Sequence, residues 1–278
     1  QWEYHRTFSG TPQGSGVSPI LANIYLTELD RFMETFTTRF NRDSGKGYRL
    51  PSPEYNRVHH QYNKAKKNLS VAEDHRAAVR EFKQAQHRQL DTPSFPQFDP
   101  QYKRLQYNRY ADDFVVGVIG SREDAERIKS EIGQFLSTQL KLTLSTEKTK
   151  VTHSSKLIRY LGYDFTVRRC KASKRGKDGI LRRHLSYKVA LYVPHDKWEG
   201  KLWEYRAMKI ARGADGQERW KPIHRGFLMH RTDVEIISKY NSEIRGLYNF
   251  YCLAENVTVL NKFCLLYTSP SPRDRTRS

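Results

Sequence analysis

The chain is short of cysteine, of acidic residues and of long apolar runs. Cys170, Cys252 and Cys264 are its 3 cysteines, with no C-x-x-C spacing among them, so neither a zinc-type pair nor a disulfide framework is expected. They read as reduced thiols in an intracellular setting. No apolar run reaches the roughly 18 residues of a membrane-crossing helix, so no span is expected. No secretory leader is visible. The first residue is Gln1 rather than Met, and the natural N-terminus is expected upstream. Bases outnumber acids 49 to 30, giving a formal net charge of +19. A chain this basic is suited to a polyanion, with nucleic acid the first reading and an acidic membrane surface the second.

What is present is core material. The 278 residues are 37% hydrophobic and 12% aromatic, enough for one large domain or two ordinary ones. In "TPQGSGVSPILANIYLTELDRFMETF", Ser18 offers an N-cap hydroxyl and Pro19 suits the first helical position. Leu21, Ile24, Tyr25, Leu29, Phe32, Met33 and Phe36 follow at helical spacing. A glycine-bearing loop therefore leads into an amphipathic helix. Residues from about 44 to 103 are polar with proline-rich edges. Within them Ser70 and Glu73 form a capping-box pattern, predicting a helical insertion, a hairpin. It reads as a solvated surface excursion or as an RNA-contacting arm.

The next stretch, "LQYNRYADDFVVGVIG", predicts strand, turn and strand. "SREDAERIKSEIGQFLSTQL" is a helix capped by Ser121 and Asp124, and "KLTLSTEKTKV" alternates like a short strand breaking at Ser145–Thr149. "LIRYLGYDFTV" is a strand pair bent at Gly162. The basic run "CKASKRGKDGILRRH" reads as a phosphate-backbone contact or a flexible charged loop. Last comes a helix opened by Thr232 and Glu235, in which Ile237, Ile244 and Leu247 read as core. The layout is α+β, with helices on a largely antiparallel sheet.

Two adjacent carboxylates, Asp112 and Asp113, stand at the predicted turn. They repel, and burying either one unpaired costs several kcal/mol, on the order of the penalty for any isolated charge. At a turn both can reach solvent or a divalent cation. Hard oxygens suit Mg²⁺, and two such ions can clamp the attacking and leaving oxygens of a phosphoryl transfer. An ordinary surface turn is the other reading, since aspartate is a common turn residue.

"RYADDFVVGV" resembles the catalytic Y-x-D-D hairpin of reverse transcriptases. "TPQGSGVSPILANIYL" resembles the block before it, and "LKLTLSTEKTKV" and "RYLGYDF" the two after it, all in the family's order. With "IISKYNSEIRGLYNFYCLAEN", the chain is most similar to group II intron-encoded reverse transcriptases and maturases. The resemblance implies a partial reverse transcriptase palm over 1–192, with the insertion at about 44–103, and a helical thumb, or domain X, over 193–263. It implies an RNA-directed DNA polymerase with maturase activity, two Mg²⁺ ions and a dNTP substrate. Partners would be group II intron RNA, an RNA template and a DNA primer, with no membrane. The place would be a bacterial cytoplasm or an organelle matrix. A splicing cofactor without polymerase activity is the alternative.

Carried onto this sequence, Asp112 and Asp113 would be catalytic and metal-binding. Tyr110 and Ala111 would lie beneath the primer end, and Gln13 and Gly14 against the incoming nucleotide. Ser15 stands where the family often has a second glycine, which loosens the expected loop geometry. Lys148 would face the leaving pyrophosphate, or be a solvated lysine. Tyr160, Leu161, Gly162 and Tyr163 resemble the primer grip, and read equally as a bent core strand. In the thumb, Tyr240 and Arg245 are the candidates to touch nucleic acid, within a pattern that also takes in Asn241, Gly246, Asn249 and Tyr251.

The family's fingers and its first catalytic aspartate precede the point at which this chain begins, so polymerase activity from the chain alone is not expected. "CLLYTSPSPRD" resembles the read-through translation of a transposase adapter used in sequencing libraries. Residues 264–278 are therefore expected to be a non-native, disordered tail.

Overall fold

The computed structural model describes residues 16–269, apart from 44, 46, 97–98, 170–171, 185 and 214–215. The first half runs α1 (Ser18–Phe40), α2 (Pro53–Asn68), α3 (His75–Asp91), β1 (Arg104–Tyr110), β2 (Asp113–Ile119) and α4 (Arg122–Gln139). Then come β3 (Ile158–Tyr160), β4 (Tyr163–Val167), β5 (Ser173–Arg175), β6 (Leu181–Arg183), β7 (Val189–Tyr192) and α5 (His195–Glu204). The last elements are β8 (Met208–Arg212), β9 (Glu218–Pro222), α6 (Asp233–Tyr251) and α7 (Val259–Thr268). Every strand pair is antiparallel among the described residues, which makes the class α+β. No described helix is long and apolar enough to cross a membrane.

The residues fall into two compact units, one within 1–152 and 171–184, the other within 153–170 and 185–278. β4 pairs with β7, and the strand pair after 153 belongs to the second unit with the later helices.

In the first unit, Leu29, Met33, Phe36 and Phe40 of α1 pack against Leu105 of β1 and Ile128, Ile132 and Leu136 of α4. The helix starts at Ser18, with Val17 at the cap and no side-chain cap bond, so Ser18 is not the N-cap. Its first turns do not join this core: Leu21, Ile24 and Tyr25 are exposed. The capping box expected at Ser70 and Glu73 does not form. Asp74 caps α3 instead, accepting from the amides of Arg76 and Ala77 at 3.0 and 3.1 Å. The Ser121–Asp124 box does form, and Asp124 also takes the ammonium of Lys103 at 2.7 Å. No strand forms over the described residues 141–151. Lys141 turns left-handed at φ +52°, and the Leu142 amide returns to the Leu136 carbonyl at 2.9 Å. That stretch is consumed in closing the helix, with Leu144 tucked against the core.

In the second unit, Trp198 and Leu202 of α5, Ile236, Tyr240 and Tyr251 of α6, and Phe263 and Tyr267 of α7 form the core. Thr232 and Glu235 make the expected capping box on α6. Arg225, 2% exposed, is neutralised by Glu243 at 2.8 Å and enclosed by the rings of Tyr205, Tyr240 and Tyr267. The buried phase of α6 runs through Ile236, so Ile237 is exposed rather than core. The expected disorder from residue 264 does not hold for Cys264–Thr268. Leu260, Phe263 and Tyr267 keep a helical apolar spacing past that point, and all three are buried. Residues 270–278 lie outside the described residues.

Candidate catalytic turn and nucleic-acid interface

β1 and β2 form a tight hairpin in which Tyr110 pairs with Asp113, leaving Ala111 and Asp112 as a two-residue loop. Such loops need left-handed backbone to match the strand twist, and Ala111 supplies it at φ +54°. A non-glycine residue there stores about 1–2 kcal/mol of strain. Asp112 and Asp113 are both exposed, so solvent tempers their repulsion. Tyr110 is 67% exposed beside them. The donors fit Mg²⁺, being hard oxygens on adjacent residues at a wet tip. No cluster of three potential metal-ligating side chains occurs among the described residues. The pair would thus leave much of an octahedral shell to water and phosphate oxygens.

What aims this tip is a side chain the sequence reading passed over. Along β1, Leu105, Tyr107 and Arg109 face inward by strand alternation. Arg109 grips Asp30 of α1 in a fork, Nε to Oδ1 at 2.9 Å and Nη2 to Oδ2 at 2.6 Å. Its Nη1 donates to the carbonyl of Ala111 at 2.6 Å and to Asn23 Oδ1 at 3.2 Å. The Tyr107 hydroxyl donates to Asp30 Oδ1 at 3.1 Å. The guanidinium holds the Asp30 carboxyl below the usual carboxylate range, and burial then Asp30 push the Tyr107 phenol up. Bidentate, charge-assisted pairs of this kind fix orientation as well as distance. The signal was available: an arginine on the core-facing register of a strand needs a carboxylate, and Asp30 lies on the helix packed there.

Lys148 lies exposed in the turn at 146–148, and no hydrogen bond or ion pair joins it to Asp112 or Asp113. Gln13 and Gly14 lie outside the described residues.

In the second unit, Tyr160 pairs with Tyr163, so Leu161 and Gly162 make another two-residue loop, at φ +48° and +79°. A Cβ on Gly162 would stand 3.1 Å from the Phe250 ring, so only glycine fits without a shift. The Tyr251 hydroxyl donates to the Gly162 carbonyl at 3.2 Å, and the Tyr163 hydroxyl donates to the Phe250 carbonyl. Arg159 on β3 bridges Asp164 and Asp196 at 2.6 and 2.7 Å.

On α6 the structure corrects one site residue. Tyr240 is buried against Arg225 and Tyr267 and cannot stack on a base as placed. Tyr251 is buried too. Asn241, Arg245, Gly246 and Asn249 are exposed, and so is Tyr248, which offers the aromatic face that Tyr240 does not. Tyr240 lies one turn on from the buried Ile236, on the same face of the helix, and is buried with it.

Residues 78–165 match the reverse transcriptase (RNA-dependent DNA polymerase) family, and residues 186–269 the type II intron maturase family. The group II intron-encoded protein LtrA of Lactococcus lactis subsp. cremoris is 40% identical over 95% of this chain and 43% of its own length. An uncharacterised 91 kDa protein in the cob intron of Schizosaccharomyces pombe is 33% identical over 95% of the chain and 31% of its own length. The nuclear intron maturase 1, mitochondrial, of Arabidopsis thaliana is 27% identical over 89% of the chain and 31% of its own length. The chain spans less than half the length of these curated relatives.

Proposed function

The chain belongs to the group II intron reverse transcriptase and maturase family, and from that premise we propose that it carries part of an RNA-directed DNA polymerase that also aids splicing of its intron RNA. The observation that carries the polymerase reading is the exposed Asp112–Asp113 tip, aimed through the Arg109–Asp30 fork. In this reading residues 1–192 are palm with an insertion and 193–263 are thumb. Asp112 and Asp113 would hold Mg²⁺, which supplies charge neutralisation to a dNTP triphosphate when bound. Ala111 leaves room above the turn, and Tyr110 offers an exposed ring on which a primer end can rest. Arg109 keeps the tip from rotating as charge gathers there. Lys148 serves as a cation for the leaving pyrophosphate, as a side chain that has to be brought to the site by substrate. Leu161 and Gly162 form the grip on the growing strand, with Arg245 and Tyr248 contacting RNA.

The maturase reading rests on the family match over 186–269 and on the basic balance of the chain. The relatives' bacterial and mitochondrial intron origin supports a bacterial cytoplasm or an organelle matrix as the place of action.

The test is primer extension on an RNA template with Mg²⁺ and dNTPs, using the longest natural reading frame that contains this chain. Asp112→Asn is expected to remove at least about 10³-fold of extension, the scale of losing a charge that acts only in the transition state. Binding of the intron RNA should stay within twofold. No extension by the native protein, with splicing still stimulated, favours a splicing cofactor without polymerase activity.

A further inference from the structure

The insertion and the basic run are far apart in sequence, yet the structure joins them. α2 and α3 form a helical hairpin whose seam holds Ala65 and Ala78, both buried, so the two backbones come close. Its base is closed where the Ser52 amide meets the Ser94 carbonyl at 2.9 Å. Tyr62 and Phe82 pack their rings at 5.5 Å within that seam, and Tyr55 stacks on His59 at 5.8 Å. The hairpin β5–β6 docks on the end of α3 through Arg183. Its Nε donates to the Leu90 carbonyl at 2.8 Å, Nη2 to the carbonyls of Gln89 and Thr92, and Nη1 to Ser94 Oγ at 3.3 Å. A guanidinium is well placed there, because the last carbonyls of a helix lack partners and carry its negative end.

We propose that α2, α3 and the β5–β6 hairpin form one basic lobe, latched by Arg183, that binds the phosphate backbone of double-stranded RNA. This rests on the maturase reading and says where, and to which RNA shape, the chain binds. Between Pro53 and Asp91 stand eight Lys and Arg against five Asp and Glu, and in 172–184 five against one. Lys64, Lys66 and Lys67 on α2 and Lys174, Arg175 and Lys177 on the hairpin are all exposed. Among the described residues of the lobe, Val71 is the one large apolar side chain that is strongly exposed. A membrane surface therefore finds no apolar wedge. Single strands are held largely by stacking on open aromatic faces. Here Tyr55, Tyr62 and Phe82 spend their rings inside the seam. What the lobe presents is an excess of cations over carboxylates, and a helix of paired RNA offers phosphates in regular rows without requiring its bases to be read.

The experiment measures affinity of the native chain for an RNA stem-loop and for an unstructured RNA of equal length, across a salt series. Two variants, Lys64/Lys66/Lys67→Gln and Lys174/Arg175/Lys177→Gln, lie at exposed positions and leave the fold intact. Each is expected to weaken stem binding roughly tenfold and to lower the slope of log affinity against log salt by about two to three. Arg183→Leu frees the hairpin, so in that background the hairpin triple should cost less than threefold. Three results overturn the lobe: stem binding that neither triple changes, a native preference for the unstructured RNA, or full additivity of Arg183→Leu with the hairpin triple. A native chain that binds no RNA at low salt overturns the maturase reading itself.

Discussion

Two hairpins in this protein share one turn length and differ in what holds them. Both β1–β2 and β3–β4 close through two residues, and both place a non-glycine left-handed residue first, Ala111 at φ +54° and Leu161 at φ +48°. The first is steadied by charge. Arg109 reaches Asp30, Asn23 and the turn's own carbonyl, and the tip it carries stays wet and acidic. The second is steadied by rings, with Phe250 against Gly162 and the Tyr251 hydroxyl on the turn carbonyl. The difference suits their tips. A fork of charged hydrogen bonds sets the direction of two carboxylates without covering them. Aromatic packing presses on a tip whose outward residue, Leu161, is apolar. Amide hydrogen exchange read separately on the two hairpins turns this contrast into measurements.

The largest expected effect is on the charged support. Asp30→Ala leaves Arg109, whose side chain is 11% exposed, without its partner. Breaking a buried pair costs roughly 3–5 kcal/mol; a third of the Asp30 side chain is exposed, which brings the expectation to about 2–3 kcal/mol. Exchange at the β1–β2 amides should quicken by about that free energy while β3–β4 stays protected. Equal quickening in both hairpins would mean that the substitution unfolds more than its own turn. Next is Gly162→Ala. A side chain at φ +79° is strained, and its Cβ would meet the Phe250 ring at 3.1 Å, so about 2 kcal/mol should be lost at β3–β4 alone. An unchanged β3–β4 would show that Phe250 gives way freely and that the ring support is loose.

Both hairpins were legible in the sequence because alternation and turn chemistry are local. So were the two capping boxes at Ser121 and Thr232 and the run of core residues from Leu29 to Phe36. What could not be read were the braces. Asp30 and Arg109 are 79 residues apart, and Gly162 and Tyr251 are 89 apart. Nothing in a local window pairs them, although the inward register of Arg109 demanded some carboxylate. The phase of α6 slipped because Ile236 and Ile237 are equally apolar and only packing chooses between them. The strand expected after α4 failed for a related reason. Alternation in "KLTL" is real, but Leu142 closes the helix and Leu144 covers the core, so the pattern serves without a partner strand.

A smaller change refines the ring support. Tyr251→Phe keeps the ring and removes the hydroxyl that donates to the Gly162 carbonyl at 3.2 Å. One neutral hydrogen bond is worth about 1 kcal/mol net, so β3–β4 should lose about that much protection. A loss much below this would assign the support to ring packing alone. A loss near that of Gly162→Ala would assign it mainly to the hydrogen bond.

The smallest effect separates the two supports by acid. The Arg109 guanidinium holds the Asp30 carboxyl below its ordinary value, so the folded state binds that proton less readily than the unfolded state. The stabilisation is complete above the unfolded aspartate range, near about pH 3.9, and fades as pH falls through the lower folded value. With a third of the Asp30 side chain in solvent, it amounts to about 1 kcal/mol or less. Phe250 and Tyr251 carry nothing that titrates there. The second hairpin also holds carboxylates on Arg159, Asp196 at 59% and Asp164 at 16% side-chain exposure, and with the guanidinium itself 45% exposed solvent screens both pairs. Exchange at residues 107–115, corrected for intrinsic rates, should therefore quicken below about pH 4 more than at residues 158–165. Asp30→Asn removes the titrating group and keeps the shape. In that variant the acid response of the first hairpin should vanish. If it persists at native size, another carboxylate supports the turn, and the fork between α1 and β1 is not what aims Asp112 and Asp113.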